Sequence, residues 1–235
     1  MMNVVITGAS KGIGKAIAAG FAAEGANLFL CARNEINLYN AVAELQVKNS
    51  NSTVNAQVAD LSTKEGVGNF GQWILNKSIP VDVLINNAGL FLPGSVYNEE
   101  EGRLEKMMNT NLYSAYHLTR MLVPGMITNK QGHIFNMCSV ASLHAYPNGG
   151  SYSISKFALM GFSKNLREEL MVHNIKVTAV YPGAVMTDSW KGFDNGQQRI
   201  MEAGDIAAMV LAASKLSQQA VVEDIIIRPQ LGDLE

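Results

Sequence analysis

The sequence predicts an α/β fold, a single doubly wound parallel sheet with helices on both faces. Three observations predict it. Short, near-continuously apolar runs recur along the chain, amphipathic stretches at helical spacing separate them, and no linker, repeat or charge block divides the chain. The strand candidates are NVVIT (3–7), NLFLCA (27–32), TVNAQVA (53–59), VDVLIN (81–86), GHIFNMC (132–138), KVTAVY (176–181) and DIIIR (224–228). Runs this apolar suit strands buried on both faces. Between them, Ile13, Ile17 and Phe21 repeat at four-residue spacing, and Leu159, Phe162, Leu166 and Leu170 at three and four. After Glu101 an apolar helical face reads Leu104, Met108, Ala115, Leu118 and Leu122, interrupted by Asn111. The expectation is one domain over residues 1–235.

Only 16% of the 235 residues are charged and 48% are hydrophobic, against roughly 25% charged in a typical domain. So little charge implies outer surface covered by a second subunit. A net charge of −2 without a long basic run argues against nucleic acid and anionic membranes as partners. The two cysteines, Cys31 and Cys138, stand far apart in apolar runs, which fits a reducing compartment and neither a disulfide framework nor zinc. The histidines, His117, His133, His144 and His173, lack metal-ligand spacing, so no metal site and no role is expected for them. The opening MMNVVITGAS leads to the expectation of no cationic leader, and no apolar run nears the ~20 residues of a membrane span. A soluble, cytoplasmic protein is expected.

In such sheets ligands bind beyond the carboxyl ends of the strands. The first strand runs into Gly8-Ala9-Ser10-Lys11-Gly12-Ile13-Gly14 and then a helix. Glycines there let backbone N–H groups approach a pyrophosphate, and the helix start adds positive potential. A purely structural tight turn is the competing reading; the position between the first strand and the first helix favours a dinucleotide. The second strand ends Cys31-Ala32-Arg33, with no carboxylate before Glu35. A free ribose 2′-OH usually meets an acid in this region, whereas Arg33 and Lys11 suit a 2′-phosphate. NADP(H) is therefore preferred, with NAD(H) possible; either cation alone is also an ordinary solvated loop residue.

Asp60-Leu61, at the third strand end, suits an adenine edge, though an aspartate there is also a common helix N-cap. At the fourth, Asn86-Asn87-Ala88-Gly89 leaves room for a cofactor against the backbone. Asn111 sits on an apolar helix face, either satisfied locally or holding a water through its amide or a kinked carbonyl beside it. Ser139 follows the fifth strand. Tyr152 and Lys156 stand one helical turn apart, which by itself also describes a helix start with a lysine snorkelling past a tyrosine.

In order and spacing these residues resemble the short-chain dehydrogenase/reductase family over essentially the whole chain. The matching motifs are Thr7-Gly8-x-x-x-Gly12-x-Gly14, Asp60, Asn86-Asn87-Ala88-Gly89, Asn111, Ser139, Tyr152-x-x-x-Lys156 and Pro182-Gly183 with Thr187. The resemblance implies a seven-stranded sheet in the order 3-2-1-4-5-6-7 and a catalytic tetrad on Asn111, Ser139, Tyr152 and Lys156. It also adds Tyr152, Lys156, Pro182, Gly183, Val185 and Thr187 to the cofactor-binding residues, and a substrate loop at about 187–203. The implied activity is NADPH-dependent reduction of a ketone or 3-oxoacyl group, with Tyr152 as general acid. The alternatives are NAD(P)-dependent oxidation of a small alcohol or 3-hydroxy acid, and a non-catalytic NADP-binding sensor.

A free phenol has a pKa near 10. Lys156 is expected to bring Tyr152 towards neutrality, helped by the positive nicotinamide of the oxidised cofactor, because a unit charge at about 4 Å supplies the necessary ~4 kcal/mol at an effective dielectric near 20. Cys138, where the family often has serine, reads as a buried small residue. The family also implies a homodimer or homotetramer built on the helices around Leu104–Leu122 and Phe157–Leu170. The competing reading has both helices covering only their own sheet.

Overall fold

The computed structural model describes residues 1–49, 51–187, 190, 192, 195 and 199–232. Their strands are β1 (Asn3–Thr7), β2 (Asn27–Ala32), β3 (Val54–Val58), β4 (Val83–Asn86), β5 (Gly132–Met137), β6 (Ile175–Pro182) and β7 (Asp224–Ile227). All pair in parallel, in the order β3-β2-β1-β4-β5-β6-β7. Every expected strand forms, with ends moved by at most two residues. The central strands β1, β4 and β5 are buried throughout, while the edge strands β3 and β7 are not. This is why the central ones read as unbroken apolar runs.

The helices are α1 (Gly12–Ala23), α2 (Glu35–Lys48), α3 (Lys64–Leu75), α4 (Arg103–Met108), α5 (Ser114–Asn129), α6 (Gly150–Leu170) and α7 (Ala203–Ser214). Alternation along β1 sorts the core into two layers. Val4 and Ile6 pack with Ile17 and Phe21 of α1, Leu38 of α2 and Val210 of α7. Val5 faces the opposite way, towards Phe70 of α3, Leu118 of α5 and Leu166 of α6. Among the described residues no helix is long and apolar enough to cross a membrane.

Between α4 and α5 the chain makes a π-helical turn, Asn109–Tyr113. The extra residue shifts the helical phase, which corrects the face expected before it. Met107 is buried rather than Met108, and Leu104 is exposed. The N-cap of α3 is Thr63, whose hydroxyl accepts from Gly66 N at 3.0 Å, so Asp60 does not cap that helix.

Candidate active site

The glycine turn is held in shape from behind. Gly8 and Gly12 adopt φ of +65° and +54°, where a side chain is strained. A Cβ on Gly14 would lie 2.4 Å from both Asn87 Nδ2 and the Gly8 carbonyl oxygen. Asn87 Nδ2 donates to Thr7 O (2.9 Å) and Gly8 O (3.1 Å), and the Asn87 and Ala88 N–H groups both donate to Thr7 Oγ1 (2.9 Å each). The end of β4 is thereby stapled to the end of β1. Helix α1 begins without a side-chain cap or an acidic residue in its first turn, which leaves its amides for an anion.

A cavity of about 720 Å³ opens in front of this turn. It is lined by Gly8, Ser10, Lys11, Gly12, Ile13 and Gly14 from the turn, by Arg33, Asp60 and Leu61 from the next two strand ends, and by Asn87, Ala88, Gly89 and Thr187. Pro182, Gly183 and Val185 do not line it. Pro182 pairs with Ile227, Gly183 N donates to Ile227 O at 2.8 Å, and buried Val185 bridges to Met201. Asn34, Asn37, Ser62, Leu90, Phe91 and Thr110 also face the cavity and were not expected. Asn34 and Asn37 carried a readable sign, the cap they form at α2 with Asn37 N donating to Asn34 Oδ1. Burial acts to raise the Asp60 carboxyl, but hydrogen bonds from the Ser62 N–H and hydroxyl, helped by the Arg33 charge, hold it below the usual range. The uncapped helix start, the close glycine packing and the Arg33 cation together fit an anionic dinucleotide.

At the Gly89 end the tetrad residues converge. A Cβ on Gly89 would stand 3.5 Å from Asn111 Oδ1 and 3.6 Å from Lys156 Nζ. Buried Asn111 lies in the π turn; its Oδ1 accepts from Leu90 N (2.7 Å), and its Nδ2 donates to Leu90 O (3.0 Å) and Ser155 Oγ (2.8 Å). The amide is therefore satisfied by protein, which leaves a π-turn carbonyl as the group able to hold a water. Ser139 starts a short 3₁₀ turn and its hydroxyl accepts from Ala141 N at 3.1 Å. Phe91 meets the Tyr152 ring edge-on at 4.9 Å.

The ionisation of the pair departs from expectation. Burial of its hydroxyl end pushes the Tyr152 phenol up to about 12, although the residue as a whole is only half-buried; a hydrogen bond with Ser139 acts the other way. Lys156 is buried and its Nζ donates to Met137 O at 2.7 Å, 5.8 Å from the centre of the Tyr152 ring. Burial brings its pKa down to about 8, with Cys138 opposing. The ammonium is thus anchored on a backbone carbonyl, and desolvation is the dominant influence on the phenol. Cys138 is buried and its thiol is pushed up to about 11, also by burial. Of the substrate loop expected at about 187–203, residues 188, 189, 191, 193, 194 and 196–198 lie outside the described residues.

The sheet order and the glycine cradle define a dinucleotide-binding oxidoreductase fold. The family model described as short chain dehydrogenase matches residues 2–198. A sepiapterin reductase of Chlorobaculum tepidum is 34% identical over 241 residues, covering 99% of this chain and 98% of that one. A metagenomic short-chain oxidoreductase solved in complex with NADP superposes with a TM-score of 0.85 at 30% identity, covering 97% of each chain. An alcohol dehydrogenase from the archaeon Thermococcus sibiricus, complexed with 5-hydroxy-NADP, gives 0.90 at 27% identity over 100% of this chain and 99% of that one. The chain belongs to the short-chain dehydrogenase family, and it is a dehydrogenase/reductase of that class.

Proposed function

We propose that the protein is an NADP(H)-dependent reductase of a carbonyl group, with Tyr152 as the proton donor. The observation that carries this reading is the placement of the Tyr152 phenol, hydrogen-bonded with Ser139 and packed edge-on against Phe91, which lines the dinucleotide cavity. Arg33 on the cavity wall supports the 2′-phosphate, as do the NADP ligands of the two solved structures. The bound nicotinamide supplies the hydride. Ser139 orients the carbonyl oxygen and Tyr152 gives it a proton, while Lys156 lies against Gly89, where a nicotinamide ribose would sit. The π-turn carbonyl at Asn111 holds a relay water.

A pKa of about 12 suits reduction, because the acid form is present throughout the neutral range. Oxidation of an alcohol needs the phenolate, which burial of the hydroxyl disfavours. An acyl-carrier protein is a poor fit as substrate carrier, since the loop beside α6 bears Glu99, Glu100 and Glu101. Its Arg103 is held by Glu100 and Pro93 O.

Tyr152→Phe is the test. The ring and its packing remain and only the acid is lost, so NADPH binding should persist while turnover of carbonyl probes falls by more than tenfold. Retention of over a tenth of wild-type kcat, a loss below ~1.4 kcal/mol, would remove Tyr152 from the role.

A further inference from the structure

The loop joining β4 to α4, residues 87–102, touches the glycine turn, Asn111 and Tyr152 in turn. Asn87 staples the glycine turn, Leu90 holds both ends of the Asn111 amide, and Phe91 packs on Tyr152. Farther along, the loop interlocks with the turn that leads into α6. Gly94 N donates to Asn148 O at 3.0 Å and Ser95 Oγ to Asn148 Oδ1 at 3.0 Å. Glu99 then reaches across to the first turn of α6, where its carboxylate accepts from Ser151 N at 3.4 Å and from the Ser151 hydroxyl. Arg103 Nη1 donates to Pro93 O at 2.7 Å, fixing the base of the loop.

The other side of the contact is built to receive it. Asn148 and Gly150 both have positive φ, +60° and +40°. A Cβ on Gly150 would lie 2.3 Å from Gly94 O and 3.0 Å from Glu99 Oε2. Only a glycine lets the loop come this close. Ser151 is fully buried and directly precedes Tyr152. A carboxylate at a helix start is also favoured by the helix dipole. The neighbouring cation, Arg103, is bound by Glu100, which leaves Glu99 to α6.

We propose that Glu99 is a positioning residue, fixing the first turn of α6 through Ser151 so that the Tyr152 hydroxyl is held against Ser139. The inference rests on the reading of Tyr152 as proton donor. A small displacement of an acid from its reacting atom lowers the rate steeply. Because Glu99 does not line the dinucleotide cavity, the effect falls on turnover and not on cofactor affinity.

The experiment compares Glu99→Ala, Glu99→Gln, Ser151→Ala and the double variant Glu99→Ala/Ser151→Ala with wild type, with exposed Glu101→Ala as control. NADPH oxidation with 9,10-phenanthrenequinone and diacetyl as probes gives kcat and KM. Fluorescence titration gives the NADPH Kd, and hydrogen–deuterium exchange reports on residues 148–156. Glu99→Ala should lose roughly ten- to a hundredfold in kcat with its NADPH Kd unchanged, and exchange should rise at 148–156. Glu99→Gln, which keeps an acceptor, should recover most of the rate, and the double variant should be no worse than Glu99→Ala. A wild-type kcat in Glu99→Ala, a parallel loss of NADPH affinity, or unchanged exchange would each overturn the proposal. Tyr152→Phe, run alongside, separates the two ideas: if it keeps turnover the proton-donor reading falls, while the exchange data still decide whether Glu99 holds α6.

Discussion

Replacing His133 by glutamine should make the protein resistant to mild acid. His133, the second residue of β5, is buried, with its ring stacked on Phe135 at 3.9 Å between centres. The Thr178 hydroxyl donates its hydrogen to Val222 O at 2.6 Å, so it accepts from His133 Nε2–H at 2.7 Å. That fixes the neutral tautomer and leaves Nδ1 buried without a partner. A second proton would have to go on Nδ1, with no acceptor for it. Burial, reinforced by the charge of Lys176, accordingly pushes the pKa down to about 3.

In the unfolded chain His133 titrates near 6.5, so below that pH the unfolded state binds a proton that the folded state refuses. Stability then falls as pH drops, by about 1.4 kcal/mol per unit and by about 5 kcal/mol in all once pH nears 3. A glutamine amide in its place would keep a donor for Thr178 and cannot titrate. Urea unfolding of wild type and His133→Gln at pH 7.5, 5.5 and 4.5 cancels the carboxylates common to both. The difference between the two proteins should shift in favour of the variant by about 2.7 kcal/mol between pH 7.5 and pH 4.5. A difference that stays constant across the three pH values would refute the reasoning.

Two other outcomes are expected. Arg33→Asp should lower affinity for NADPH relative to NADH by about one to two decades, since a charge-assisted contact to phosphate is worth roughly 1.5–3 kcal/mol; equal wild-type affinities at fixed ionic strength would sink the cofactor assignment. The protein should sediment at micromolar concentration as a dimer or larger, because Tyr113, Ile154 and Phe157 leave apolar surface exposed on the π turn and on α6. Phe157→Glu should shift it towards a single-chain species, and a wild type found only as single chains would end the idea.

What was legible in the sequence follows the range of the forces involved. The strands are local in pattern, so each apolar run located its strand to within two residues, and the order of the sheet came with the family motifs. The glycine turn was legible because positive φ and close approach demand glycine at fixed places. The π turn was half-visible: Asn111 on an apolar face marked the place, but not the extra residue that displaced Leu104 from the core. His133 looked like one more residue in an apolar run, since its partner Thr178 lies 45 residues away on the neighbouring strand. The contact of Glu99 with Ser151 spans 52 residues and leaves no periodic trace at all.

The reversal at Tyr152 and Lys156 has the same origin, and it changes how the pair would work. Spacing placed both side chains on one face, but not the Met137 carbonyl that takes the ammonium. With the phenol near 12 and the lysine near 8, both groups are displaced towards their neutral forms by burial. A lysine that simply lowered the phenol's pKa would leave it partly ionised and a weaker reservoir of protons at neutral pH. Burial thus works on the two groups in the same sense, keeping the phenol in its acid form and easing loss of the ammonium proton. That division suits a phenol that donates a proton to a carbonyl, with the lysine held on the Met137 carbonyl beside it.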